Sequence, residues 1–352
     1  MAAGLQNHIW NNNLRSIILL ALYPLMIAAI VWACTFVIGA AGTGDTGERA
    51  AGMANALLYA YWPLIFTVVA LWFLIAWFFH GAMIRKLAHS HPVTRKEEPA
   101  LYNLLENLCI AQGMPMPRLE IIETHARNAF ASGIDEKSYC VTVTRGLLNS
   151  LTKDEVEAVL AHELTHILNR DVRLLIITVI FTGMIGFAAQ IAWSNIRYGM
   201  LFSGRNRKNG SGIMVIFAIA AILWLGYLAT LFTRFALSRS REYMADAGAV
   251  KMTKNPEAMM SALMRIAGRD KIPETTDDIA MMCIENHKPF LGLFATHPPI
   301  KSRILAISET TNTPAPDIFS TPPAPTQDRF HVPDGPKNPW LIRERGQRKK
   351  SR

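Results

Sequence analysis

A short run near the middle of the chain contains two histidines and a glutamate in the arrangement that binds a catalytic metal ion. His162 and His166 lie four residues apart, and Glu163 directly follows the first histidine. On an α-helix this spacing puts both imidazoles on one face, where they can hold one zinc ion. Glu163 then lies where it can take a proton from a zinc-activated water. The pattern predicts metal-assisted hydrolysis, and its alternative is an exposed helix with two surface histidines and a solvated glutamate.

The residues before this motif predict the helix that it needs. Thr152 and Glu155 have the S/T-x-x-E spacing of a capping box, which favours a helix start. Apolar residues then recur at helical spacing through Val156, Leu160 and Ile167. We therefore expect one helix to begin near Thr152 and to carry both histidines.

A second motif, at 240–246, offers a third ligand. A catalytic zinc needs three protein ligands and an open position for water, and Glu242 is the candidate for the third. Asp246 follows one helical turn later, placed to accept the second ring N–H of a ligating histidine. The spacing alone is weak, because E-x-x-x-D is common on solvated helices. Its position strengthens it, since two membrane crossings between the motifs would return the chain to the side of His162.

The composition predicts a membrane protein. Hydrophobic residues make up 51% of the 352 residues, and the net charge is +9. Much of the basic excess flanks apolar runs or lies in the C-terminal tail, which favours anionic lipid headgroups as partners and not nucleic acid. The cysteines form no C-x-x-C pair, which suits a reducing compartment; they are Cys34, Cys109, Cys140 and Cys283.

Four apolar runs without a charged residue are long enough to span a bilayer: 17–38, 56–79, 174–193 and 213–232. Their lack of charges argues for anchors and against a transporter or channel. For the last two runs the alternative is a buried hairpin in a soluble domain. Basic residues near the span ends on the motif side fit a cytoplasmic orientation. Four basic residues lie in the opposite loop, so either this bias is modest or the last two runs do not cross fully; they are Arg197, Arg205, Arg207 and Lys208.

Between the membrane runs, the sequence predicts a small folded domain. Residues 99–112 have helical periodicity and end at Gly113, a C-cap. Strands are predicted at 118–123, 128–132 and 138–144, and a further helix at 258–266. The sheet edge could pair with an extended peptide near the metal, or the sheet could serve packing alone.

His297 lies directly before two prolines. In a zinc peptidase such an imidazole could hydrogen-bond the oxyanion as it forms. A structural loop histidine is the alternative. From about residue 310 the composition shifts to Pro, Thr and Asp and the chain ends in a basic run, which predicts a disordered tail.

Four motifs together resemble the HtpX-type membrane zinc metallopeptidases, which belong to the same broad family as the CAAX prenyl protease. They are HELTH at 162–166, SREYMAD at 240–246, NAFASG at 128–133 and THPP at 296–299. The resemblance implies one zinc ion bound by His162, His166 and Glu242, Glu163 as general base, and Asp246 behind the ligands. It also implies a substrate-binding edge strand and places His297 near the substrate carbonyl. The strand residues are Asn128, Ala129, Phe130 and Ala131.

We therefore expect an α+β fold: a mostly helical, zincin-like metalloprotease domain with a small antiparallel or mixed sheet, fused to about four transmembrane helices. The expected segments are a transmembrane hairpin (1–80), the first half of the peptidase domain (81–173), a second hairpin (174–233), the second half of the domain (234–309) and a Pro-rich basic tail (310–352).

The resemblance also implies a role. It is the cleavage of misfolded or damaged membrane proteins on the cytoplasmic side of the bacterial inner membrane, beside other quality-control proteases. One alternative is a CAAX-type prenyl-protein endopeptidase, although four spans are few for the chamber of that branch. Another is a non-catalytic, zinc-stabilised membrane scaffold, although no cysteine lies near the motifs to close a structural site.

Overall fold

The computed structural model describes residues 2–44, 47–202, 210–235, 240–267, 298–316 and 330. In chain order the elements are α1 (Ala2–Thr43), α2 (Glu48–Ala88), β1 (His91–Pro92), α3 (Pro99–Gln112), β2 (Arg118–Ile122), β3 (Ala129–Ser132), β4 (Cys140–Thr144), α4 (Arg145–Ser150), α5 (Lys153–Leu168), α6 (Asp171–Phe202), α7 (Gly210–Phe235), α8 (Ser240–Thr253), α9 (Pro256–Ile266) and α10 (Ile300–Thr311). The fold is α+β and mostly helical with a small mixed sheet, which confirms the predicted fold class.

The chain divides into two compact units. The first, here called the apolar unit, comprises Met1–Met83 and Leu168–Ser238; the second, the sheet unit, comprises Ile84–Ile167 and Arg239–Arg352.

Long apolar helices make up the apolar unit. Within the described residues, three stretches are long and apolar enough to cross a membrane: Ala21–Gly42, Glu48–Ala88 and Asp171–Ile191. In α7 the apolar stretch is shorter, Met214–Leu228. The helices of the first hairpin extend beyond the predicted runs, so that α1 ends at Thr43 and α2 already begins at Glu48.

The apolar unit keeps large apolar side chains on its surface. Phe78 is 75% exposed and Leu25 67% exposed, which would be unfavourable over so wide an area in water and suits lipid. Inside, Tyr23, Val69 and Ile177 form a small core. Helix α7 approaches α1 closely at Gly226, where an added Cβ would lie 2.6 Å from Ile30 Cδ1, as small residues allow in membrane helices.

A four-stranded sheet with the order β1-β2-β4-β3 lies in the sheet unit. β2 and β4 are parallel, while β1 pairs with β2 and β3 pairs with β4 in antiparallel fashion. Three strands match the predicted ones with shorter bounds, and β1 is additional. β3 lies at the edge of the sheet, as the edge-strand prediction requires.

One local cap and two long-range contacts fix the helices around the sheet. α3 ends at Gly113, which has a φ of 64° and donates its N–H to the last turn; glycine adopts this left-handed conformation without steric cost. α9 is tied to the start of α5 because Arg265 Nε lies 2.7 Å from Glu155 Oε1. Beyond α10, Phe330 is buried and donates its backbone N–H to Leu151 O at 3.1 Å.

Candidate metal centre

The helix that carries the first motif begins with the predicted capping box. Thr152 N donates to Glu155 Oε2 at 2.8 Å, and Glu155 N donates to Thr152 Oγ1 at 3.3 Å. The paired bonds satisfy two backbone donors that a helix start otherwise leaves open. α5 then continues to Leu168 with most of its residues buried, and it holds both histidines of the motif on one face.

Three side chains that sequence analysis named as zinc ligands converge in the sheet unit. His162 Nε2 and His166 Nε2 lie 3.2 Å apart. Glu242, from α8, has one oxygen 3.7 Å from His162 Nε2 and the other 3.7 Å from His166 Nε2. Two ligands that each lie about 2.0–2.1 Å from the same zinc are at most about 4.2 Å apart. All three separations between donor atoms meet this limit, so the donor set fits one ion.

The charges of the cluster also fit a divalent cation. Glu163, Glu242 and Asp246 are each at most 2% exposed, and Arg303 is 1% exposed. Metal binding requires neutral imidazoles. In that state, with all three carboxylates ionised, one guanidinium leaves two negative charges buried, which is unfavourable unless they are compensated. One divalent ion among the donor atoms would balance them.

The same carboxylates affect the protonation of His162. Burial would lower the pKa of His162, but its contacts with Asp246 and Glu242 outweigh burial and raise this pKa to about 9. His162 Nδ1 lies 3.0 Å from Asp246 Oδ1. The ring is thereby oriented with Nε2 toward His166 and Glu242, as is usual for metal-binding histidines. The carboxylates of Asp246 and Glu242 thus favour a positive charge at the position where the donor atoms converge.

Arg303 is a member of this cluster that sequence analysis did not name. Its Nε and Nη2 donate to the two oxygens of Asp246 at 2.8 and 2.6 Å, a bidentate pair. Its Nη1 lies 3.6 Å from Glu242 Oε2. Burial would raise the pKa of Asp246, but the charge and hydrogen bonds of Arg303 lower it instead. Arg303 therefore keeps Asp246 ionised and fixed in position.

Glu163 lies where the helix meets the edge strand. Burial is the largest influence on its carboxyl group and raises its pKa, while the imidazoles and a hydrogen bond with the Ala131 backbone oppose the increase. Asn128 precedes β3 and uses its side chain locally, since its Oδ1 accepts from Ala129 N at 2.9 Å. Of the four predicted strand residues, Ala131 is the one whose backbone contacts the general-base candidate. His297 lies outside the described residues.

Comparison with known proteins assigns the chain to a family. The model of peptidase family M48 matches residues 95–311, more than half of the chain. The chain belongs to peptidase family M48. The matched residues include α5, α8 and α10, and therefore His162, Glu242 and Arg303.

Individual proteins are also similar to this chain. A protease HtpX homolog of Bacteroides fragilis is 41% identical over 317 residues, 87% of this chain and 98% of that protein. A protease HtpX homolog of Listeria monocytogenes is 37% identical over 238 residues, 64% of this chain and 78% of that protein. The crystal structure of S. mikatae Ste24p aligns with 85% of this chain and 66% of that chain, at 18% identity and a TM-score of 0.45. The predicted resemblance is confirmed: this M48 chain is a membrane metallopeptidase.

Proposed function

We propose that this chain is a zinc-dependent endopeptidase in which His162, His166 and Glu242 bind one zinc ion and Glu163 is the general base. The observation that carries the proposal is the convergence of three donor side chains beside a buried glutamate. The separations of 3.2 and 3.7 Å between donor atoms are compatible with a single ion.

Each residue of the cluster has a distinct part in hydrolysis. When bound, zinc lowers the pKa of water and polarises the scissile carbonyl. Glu163 accepts the proton of the attacking water on its carboxylate and delivers it to the leaving amine nitrogen. Asp246 Oδ1 lies 3.0 Å from His162 Nδ1, and its charge orients the ring. Arg303 holds Asp246 in place through its two hydrogen bonds.

β3 is the proposed binding strand for the substrate. Thr144 N donates to Asn128 O, and β3 and β4 are antiparallel. Because hydrogen-bonding direction alternates along an antiparallel strand, the backbone groups of Ala129 and Ala131 point away from β4. The N–H group of Ala129 donates to Asn128 Oδ1, and that of Ala131 donates to the Glu163 carboxylate. Their carbonyl oxygens are therefore the proposed acceptors for the N–H groups of an extended substrate.

The proposed substrates are misfolded or damaged membrane proteins, cleaved on the cytoplasmic side of the bacterial inner membrane beside other quality-control proteases. The long apolar helices and the bacterial HtpX homologs support this role. In this proposal His297 hydrogen-bonds the developing oxyanion.

Proteolysis by the full chain in lipid vesicles tests the proposal. The wild type should cleave an unfolded membrane protein, a chelator should stop cleavage, and added zinc should restore it. Glu163→Gln should keep zinc but lose at least about 100-fold in rate, since it cannot accept the proton. Glu157→Gln is the matched control, because it makes the same change in the same helix at a half-buried position.

A near wild-type rate for Glu163→Gln would overturn the role of Glu163. A prenylated peptide in the same assay distinguishes cleavage of damaged membrane proteins from CAAX-type cleavage of prenylated proteins. Cleavage confined to the prenylated peptide would favour the CAAX-type alternative.

A further inference from the structure

Helices α5 and α8 approach each other closely where α8 has no side chain. A Cβ added at Gly248 of α8 would lie 2.4 Å from Thr165 Cγ2 and 2.7 Å from Thr165 Oγ1, well below an ordinary contact of 3.4 Å. Thr165 directly precedes His166, and Gly248 lies two residues after Asp246. The contact therefore joins the two helices that supply the three donor side chains.

Thr165 has little freedom to make room. Its side chain is buried, and its Oγ1 donates to Ala161 O at 2.8 Å. A β-branched side chain has few rotamers in a helix. The Cβ of Thr165 would lie 3.1 Å from the added Cβ, and it does not move when the side chain rotates. A side chain at position 248 would therefore push the helices apart.

The donor atoms tolerate only a small separation. Lengthening the 2.4 Å contact to an ordinary one requires about 1 Å of movement. The distance between His166 Nε2 and Glu242 Oε1 is 3.7 Å, about 0.5 Å below the limit for two ligands of one zinc. The required movement exceeds this margin.

We infer that Gly248 is a positioning residue for the metal centre: its missing side chain sets the helix spacing that lets Glu242 share one ion with His162 and His166. The inference rests on the proposed zinc site. The predicted loss of zinc affinity is opposite to the usual effect of Gly→Ala in an unobstructed helix, which is to stabilise the helix.

Zinc binding by the full chain in detergent tests this inference without relying on proteolysis. Zinc affinity is measured by competition with a chromophoric chelator, and the ligand geometry is followed by the visible spectrum of the cobalt-substituted protein. Gly248→Ala should weaken zinc binding at least about tenfold, a typical cost of disturbing the support of metal ligands. It should also change the cobalt bands. Adding Thr165→Ala, which removes the two nearest obstructing atoms, should restore most of the affinity and the spectrum.

Gly52→Ala is the matched control, since Gly52 is helical and a Cβ there would meet nothing within 4 Å; its zinc affinity should equal that of the wild type. If the wild type bound no zinc, the proposed function would fail. If the wild type bound zinc and Gly248→Ala bound it equally well, only the role of Gly248 would fail. If Gly248→Ala does not accumulate, the double variant with Thr165→Ala provides the test. A double variant that also fails to accumulate, or that binds zinc at least about tenfold more weakly than the wild type, overturns the inference.

Discussion

Replacing Arg303 by Met should destabilise the sheet unit strongly. Arg303 is 1% exposed and its guanidinium binds both oxygens of Asp246. Methionine fills a similar volume without the charge, so the Asp246 carboxylate would stay buried with its bidentate partner gone. Because solvent does not screen this pair, the loss falls in the range for breaking a buried ion pair, about 3–5 kcal/mol in the free energy of unfolding.

Two further variants separate charge from packing. Arg303→Met combined with Asp246→Asn removes both charges, while the amide oxygen can still accept from His162 Nδ1. Most of the lost stability should return, since the cost arises mainly from the uncompensated charge. Arg95→Met is the control for the same substitution in an exposed ion pair with Glu106. It should cost about 1 kcal/mol or less.

The unfolding of the sheet unit can be followed by labelling its buried thiols. Cys109 and Cys140 are buried, and burial raises their pKa values to about 11 and about 12, so both react slowly while the unit is folded. With Cys34 and Cys283 replaced by Ser, a short labelling pulse across a urea series reports this unit alone. A chelator is present throughout, so that zinc does not contribute to stability.

Two results would contradict this reasoning. The free energy of unfolding of Arg303→Met could lie within about 1 kcal/mol of the wild-type value, which is the range of exposed ion pairs. Alternatively, the double variant could be less stable than Arg303→Met alone, which would show that the interaction of Asp246 with its other neighbours outweighs its uncompensated charge.

The same labelling assay checks two further substitutions. Thr152→Ala removes the capping oxygen of α5 and should cost about 1 kcal/mol, and an unchanged urea midpoint would count against the capping box. Gly146→Ala would place a Cβ 2.2 Å from His125 O and 2.4 Å from Ala126 O. Because both atoms belong to the backbone, it should cost at least about 1–3 kcal/mol; a variant as stable as the wild type would show that this loop can shift freely.

The elements with local signals were predictable from sequence. The capping box marks the start of α5, and Gly113 is the C-cap of α3 as predicted. Both signals depend on hydrogen bonds between residues a few positions apart, so they can be recognised in the sequence without knowledge of the tertiary fold. The spacing of His162 and His166 likewise fixes their common face.

Contacts between residues distant in sequence could not be predicted in the same way. The alternation of apolar residues predicts strands but does not show that β2 and β4 are parallel, because pairing depends on contacts distant in sequence. The close approach at Gly248 depends on tertiary packing for the same reason. The partnership of Glu242 with the histidines is predicted from the need for a third ligand and from the two membrane crossings between the motifs, and the resemblance implies the same.

Arg303 did have a signal in the sequence. Ile300, Ile304 and Ile307 recur at helical spacing and predict an apolar face, and Arg303 lies on that face. An arginine on a buried helix face requires an acidic partner. In the structure this partner is Asp246.

The most direct test of the central claim is anomalous diffraction at the zinc edge from crystals of the full chain. A single peak is expected about 2.0–2.2 Å from Nε2 of His162, Nε2 of His166 and a carboxylate oxygen of Glu242. A peak elsewhere, or a Glu242 carboxylate beyond coordination distance from a zinc bound by both histidines, would contradict the proposed metal centre.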